Sequence, residues 1–192
     1  MRLILASNSP RRRELLSGLG LDFEVRVLPG IDESYPSNLQ GGDIPLYISR
    51  EKAAAYRDSL AADELLITAD TIVWLDGQVL EKPKDEADAC RMLRDLSGKT
   101  HQVFTGVCLT TTEKQISFCA CSDVTFSELS EQEILHYVRH YRPFDKAGAY
   151  GIQEWIGYVG VERIEGSFFN VVGLPVQQLY RNLKQHFNIV VK

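Results

Sequence analysis

Met1-Arg2-Leu3-Ile4-Leu5-Ala6 runs straight into Ser7-Asn8-Ser9-Pro10-Arg11-Arg12-Arg13-Glu14-Leu15-Leu16, and this junction decides the fold class. The first half reads as a short buried strand, the second as a helix start. Ser9 is a good N-cap, and Pro10 suits the first helical position because its missing N–H costs nothing there. Three arginines in the first turn run against the helix dipole, which disfavours cations at its positive end. An anion resolves the conflict: free N–H groups, hydroxyls and guanidinium forks at a helix start make a phosphate site. The plainer reading has the arginines pointing to solvent at a small cost. Isolated charges that recur downstream within apolar sequence favour the anion.

Strand and helix signals alternate from there on, which predicts an α/β (mixed α+β) domain spanning residues 1–192. Gly18 and Gly20 stop the first helix, and Phe23 to Val27 alternates like a strand. Asp43 is expected to cap a helix from Ile44 to about Ser59. Leu65-Leu66-Ile67-Thr68-Ala69 is a continuous apolar run, hence a central strand. Asp76-Gly77 between two β-rich runs is a strong hairpin signal. Asp85 opens a helix with Ala89, Met92, Leu93 and Leu96 on one face. His101–Thr110 and Gln115–Phe126 read as a long antiparallel pair. Ser130 and Glu133 form a capping box. A glycine-rich loop follows at 145–153, then a strand from Tyr158 to Ile164, and a closing helix from about Val176 to Phe187.

Composition narrows the function. A net charge of -5 and a pI near 5.4 argue against general nucleic-acid binding, while leaving room for one basic pocket. The N-terminal strand pattern lacks the apolar core of a signal peptide, and no apolar run approaches a membrane span, so the expected location is cytoplasmic. Cys90, Cys108, Cys119 and Cys121 have neither zinc nor disulfide spacing and read as buried, inert thiols. His136 and His140 have i,i+4 spacing, but Tyr137 stands where a metalloprotease needs Glu.

Asp70 is the first candidate for chemistry. A carboxylate is conspicuous at the end of an apolar strand, although a turn Asp bonding local N–H groups is common. A two-residue turn at Asp76-Gly77 would set Thr71 opposite Lys82 and bring Asp70 near Lys82 at the hairpin's open end. Such a carboxylate could bind a metal or take a proton from water. Glu33 in a polar loop, Lys52 amid alanines and Lys82 before Pro83 each read singly as surface residues. Together they supply two carboxylates for a hard cation and several cations for phosphates, the parts of divalent-metal phosphoryl chemistry. In the 145–153 loop, small residues would admit a ligand, Lys146 could meet a phosphate, and Gln153 could read a base edge. A tight structural turn explains that loop equally well. Neither a P-loop nor a strand-linked G-x-G-x-x-G is present.

Taken in order, Ala6-Ser7-Asn8-Ser9-Pro10-Arg11-Arg12, Ala69-Asp70-Thr71, Glu81-Lys82-Pro83, Leu96-Ser97-Gly98, the stretch from Asp145 to Gln153, and Val172-Gly173-Leu174-Pro175 resemble the Maf family of nucleoside triphosphate pyrophosphatases. The resemblance covers nearly the whole chain; its first and fifth motifs are long and specific. It implies an elongated mixed sheet with flanking helices and two lobes around a cleft. It also implies hydrolysis of nucleoside triphosphates to monophosphate and pyrophosphate with a divalent metal (Mg2+, Mn2+ or Co2+). By resemblance, Asp70 activates water, Glu33 and Asp70 bind metal, and Lys52, Lys82 and Arg12 face phosphates. Ser7 and Ser9 fall in the phosphate-binding turn. Arg11, Thr71 and Gln153 match the subgroup acting on dTTP and UTP, with modified pyrimidine nucleotides as further substrates and a homodimer as a plausible state. The rivals are a non-catalytic nucleotide-binding regulator of cell division and an inosine-triphosphatase type of enzyme.

Overall fold

The computed structural model describes residues 1–191. Seven strands form one sheet: β1 (Arg2–Leu5), β2 (Phe23–Val25), β3 (Glu64–Leu75), β4 (Gln78–Leu80), β5 (Thr100–Thr110), β6 (Gln115–Phe126) and β7 (Val161–Glu165). Their order is β2-β1-β3-β5-β6-β7, with β4 paired to β3. Seven helices accompany them: α1 (Pro10–Ser17), α2 (Asp43–Ala54), α3 (Glu86–Leu96), α4 (Glu131–Tyr141), α5 (Trp155–Gly160), α6 (Phe168–Val172) and α7 (Val176–Phe187). The chain divides into two compact units. The first holds Met1–Asp70, Thr105–Ala120 and the residues from Gly173 onward; the second holds Thr71–Phe104 and Cys121–Val172.

In the first unit β1 runs parallel to both β2 and β3, with Leu3 opposite Phe23 and Leu65. Parallel strands are covered on both faces, and the apolar runs explain how. Leu3 and Leu5 point to one side and pack with Leu16 of α1 and Leu179 and Leu183 of α7. Ile4 and Leu66 point to the other and pack with Ala53 and Tyr56. Each such buried aliphatic contributes about 1.5–3 kcal/mol. Helix α1 begins as its sequence dictates: Ser9 is extended at the cap and its hydroxyl accepts from the Arg12 N–H.

The second unit holds β4, β7, part of each of β3, β5 and β6, and the helices α3 to α6. In the β3–β4 hairpin Leu75 pairs with Gln78, and both turn residues have positive φ (Asp76 50°, Gly77 82°), as a type I′ turn requires. Asp85 caps α3, and the Ser130–Glu133 capping box opens α4. Ala89, Met92, Leu93 and Leu96 of α3 pack with Ile134, Tyr137 and Val138 of α4 in one core.

Four expectations are corrected. Asp43 is the first helical residue of α2 rather than its cap; Gly42 holds the cap position and α2 ends at Ala54. Residues 65–75 are one strand, so Asp70 lies inside β3. The strand runs on because only its neighbour stops: β1 pairs no further than Leu5 with Ile67, three residues before Asp70. Residues 155–160 form α5 instead of the start of a strand. Burial of Ile156 outweighs the β-propensity of Tyr158 and Val159, which stay exposed, and Gly160 O ties the helix end to the Ser127 N–H. Among the thiols Cys90 and Cys108 are buried, but Cys121 is exposed, because strand alternation turns it outward.

Candidate functional site

In the first unit, Ser7 is buried in the turn leaving β1, and its hydroxyl accepts the Ser9 N–H at 3.2 Å. Ser9 in turn accepts the Arg12 N–H at 3.4 Å. Both serines therefore shape the turn before α1. Arg11 is half-buried beside them. Arg12 folds back: its Nε donates to Gly173 O at 2.9 Å and its Nη1 to Ala69 O at 2.8 Å. Burial lowers the guanidinium's pKa, and the nearby Asp70 charge works the other way. Arg12 thus braces the backbone beside Asp70 as well as supplying charge.

Lys52 of α2 brings the two candidate carboxylates together. Its Nζ lies 2.8 Å from Asp70 Oδ1 and 2.9 Å from Glu33 Oε1. Asp70 and Lys52 are nearly covered, each with a side chain 12% exposed, whereas Glu33 reaches out from its loop at 58%. Thr68, one turn of the pleat before Asp70, donates to Ser49 O of α2 at 2.6 Å and so fixes the helix that carries Lys52. The ammonium against Asp70 is that of Lys52, where the hairpin register had suggested Lys82. The β3–β4 ladder ends at Val73 with Leu80, short of the Thr71–Lys82 position.

The two carboxylates converge on one cationic point. Oxygen donors in this number suit a hard divalent ion that takes one or two carboxylates and completes its shell with water and phosphate oxygens. Among the described residues no group of three or more His, Cys, Asp or Glu could cage a metal unaided. The donor set therefore fits a metal bound together with a phosphate-bearing substrate.

In the second unit Lys82 is exposed after β4, and Thr71 is half-buried within β3. Lys146 is buried, with its ammonium 2.7 Å from Asp145 and 3.1 Å from Glu154. Gln153 is exposed and lines an open groove of about 430 Å³ with Tyr158, Arg163 and Phe168. Sequence reading missed Glu154 and Tyr137. The signal for Glu154 was present, an acid directly after the glycine-rich loop; Tyr137 looked like any helix aromatic.

A model of the Maf-like protein family matches residues 2–186. A protein of Bacteroides thetaiotaomicron named dTTP/UTP pyrophosphatase is 67% identical over 184 residues, covering 96% of this chain and 95% of that one. A protein of the same name from Parabacteroides distasonis is 59% identical over 186 residues, covering 97% and 96%. Among solved structures, the Ham1 protein of Staphylococcus aureus aligns with a TM-score of 0.49 and 13% identity, over 66% of this chain and 72% of that chain.

Proposed function

The chain belongs to the Maf family, and from that premise we propose that it hydrolyses dTTP and UTP to the nucleoside monophosphate and pyrophosphate. The structural observation that carries this reading is the Lys52 ammonium shared by Asp70 and Glu33. A regulator that only bound nucleotide would need the cations and would have no use for converging carboxylates beside them.

Asp70 takes the proton of a water that attacks the α-phosphorus. The new P–O bond forms as the bond to the bridging oxygen breaks, and pyrophosphate leaves with the electron pair. Lys52 balances the charge that builds on the leaving group. The serine turn that leads into α1, with the Arg11 guanidinium, faces the phosphate oxygens. Arg12 fixes the backbone on which Asp70 sits, through Ala69 O. Glu33 and Asp70 would hold Mg2+, Mn2+ or Co2+, which supplies charge neutralisation on the triphosphate when bound. Positioning and electrostatics dominate such reactions, so the fixed geometry of Lys52 and Asp70 is the main asset. Arg11, Thr71 and Gln153 select the pyrimidine base, and modified pyrimidine nucleotides fall within the same selection. Among the described residues no helix is long and apolar enough to cross a membrane. An enzyme acting on free nucleotide would work in the cytoplasm.

The test is pyrophosphate release from the purified chain over a panel of nucleoside triphosphates, with and without Mg2+. Metal-dependent release from dTTP and UTP with little from purines is expected. Release from purines alone would overturn the selectivity, and no release with any metal would overturn the activity.

A further inference from the structure

Tyr137 is wholly buried in α4, yet its hydroxyl makes two directed bonds. It donates to Glu154 Oε2 at 2.5 Å and accepts the Gly151 N–H at 2.9 Å. The other oxygen of Glu154 lies 3.1 Å from Lys146 Nζ. One phenol therefore clamps the carboxylate that holds Lys146 and the backbone of the glycine-rich loop between them. Burial and the adjoining carboxylate push the Tyr137 pKa well above its ordinary value, so the hydroxyl remains a donor.

The packing leaves this arrangement little freedom. A Cβ on Gly151 would lie 2.9 Å from Lys146 Cε and 3.0 Å from Glu154 Cδ, so both side chains cross directly over the glycine. The two carboxylates on Lys146 differ in kind. Asp145 is 62% exposed, whereas Glu154 is 21% exposed and tied to Tyr137. A phosphate reaching Lys146 can replace Asp145 while Glu154 keeps the ammonium in place.

We propose that Tyr137 and Glu154 are positioning residues that hold the Lys146 ammonium for a substrate phosphate. This rests on the reading of Lys146 as a phosphate contact.

The test is a double-mutant cycle read by affinity for a non-hydrolysable α,β-imido analogue of dUTP, alongside KM and kcat for dTTP. Tyr137→Phe keeps the ring and Glu154→Gln keeps the shape, so thermal unfolding should confirm folded protein in both. Each is expected to weaken analogue binding and raise KM about tenfold, with kcat changed far less. In a Lys146→Met background the same substitutions should add less than twofold, because contacting groups are non-additive. Equal losses in both backgrounds would make the clamp a purely structural device and overturn the proposal. So would wild-type binding by Lys146→Met or Glu154→Gln. A wild-type chain that binds the analogue without turnover would overturn the activity and leave this cycle intact.

Discussion

The Lys52 ammonium reaches Asp70 at 2.8 Å from a helix that precedes β3 in the chain. The contact ties two segments that share no local sequence signal, and it sets the cation against the one nearly covered carboxylate of the first unit's candidate site.

Asp70→Asn should therefore leave the fold intact and lower kcat by about 10²–10⁴-fold, since the amide cannot accept water's proton. Lys52→Met should also lower kcat, by about 10²-fold or more, because the ammonium that balances charge on the leaving pyrophosphate is gone. Pyrophosphate release with thermal unfolding as the control measures both. Near-normal turnover in Asp70→Asn would remove Asp70 from the mechanism.

Substituting Gln153 or Arg11 should change the ranking of bases more than the rate on any one triphosphate. A lost hydrogen bond to a base edge discriminates between substrates, while the phosphates still meet Lys52 and the α1 start. Competition between dTTP, UTP and GTP measures the ranking. An unchanged order in Gln153→Ala would sink its role in base selection.

Local rules made much of the fold legible. The Ser9 cap, the Asp76-Gly77 turn, the Ser130–Glu133 box and the span of α7 all follow from a few adjacent residues. What escaped depends on partners far along the chain. Continuing the hairpin register pointed Asp70 toward Lys82, but pairing stops at Leu80 and the ammonium on Asp70 arrives from α2. The strand expected from Tyr158 starts only at Val161, because burial of Ile156 holds the residues before it in α5, which tertiary packing decides. Tyr137 and Glu154 gave no signal as a pair, since they lie seventeen positions apart with a loop between them. The candidate residues of the first unit were thus legible as a set, and their pairing was not.

Glu64 should govern part of the acid stability. It is 2% exposed, accepts from Arg26 at 2.7 and 2.9 Å, from Arg2 at 2.9 Å and from the Ala61 N–H at 3.0 Å. The Arg26 bonds first, then the Ala61 N–H, hold its pKa down to about 2 from an ordinary 4.5. A depressed folded-state pKa gives stability that is full above the unfolded value and lost as pH falls toward the folded one. Glu64→Gln should cost on the order of 2 kcal/mol at pH 7. The gap in urea midpoint between variant and wild type should then narrow from about pH 4.5 to 2. A gap that holds constant over that range would show that the stabilisation does not come from the charge.

Gly106 of β5 links packing to the candidate site. A Cβ there would lie 2.3 Å from Pro45 O and 2.4 Å from Leu46 N, both backbone atoms of α2. Neither can move without the helix, so Gly106→Ala must push α2 away from the sheet. Overpacking of this kind costs about 1–3 kcal/mol or more, read from urea unfolding. Because α2 also carries Lys52, the displacement should reach the site: a shift of about 1 Å in a positioned group can cost 10²-fold in rate, and a loss of at least tenfold in kcat is expected. Gly18→Ala is the control. Gly18 has φ of -62° and a Cβ there would come no closer than 3.3 Å to Leu15 O, so that variant should stay near wild type in both measurements. If Gly106→Ala unfolds like wild type and turns over at the wild-type rate, close approach of β5 is not what seats α2, and the placement of Lys52 must come from elsewhere.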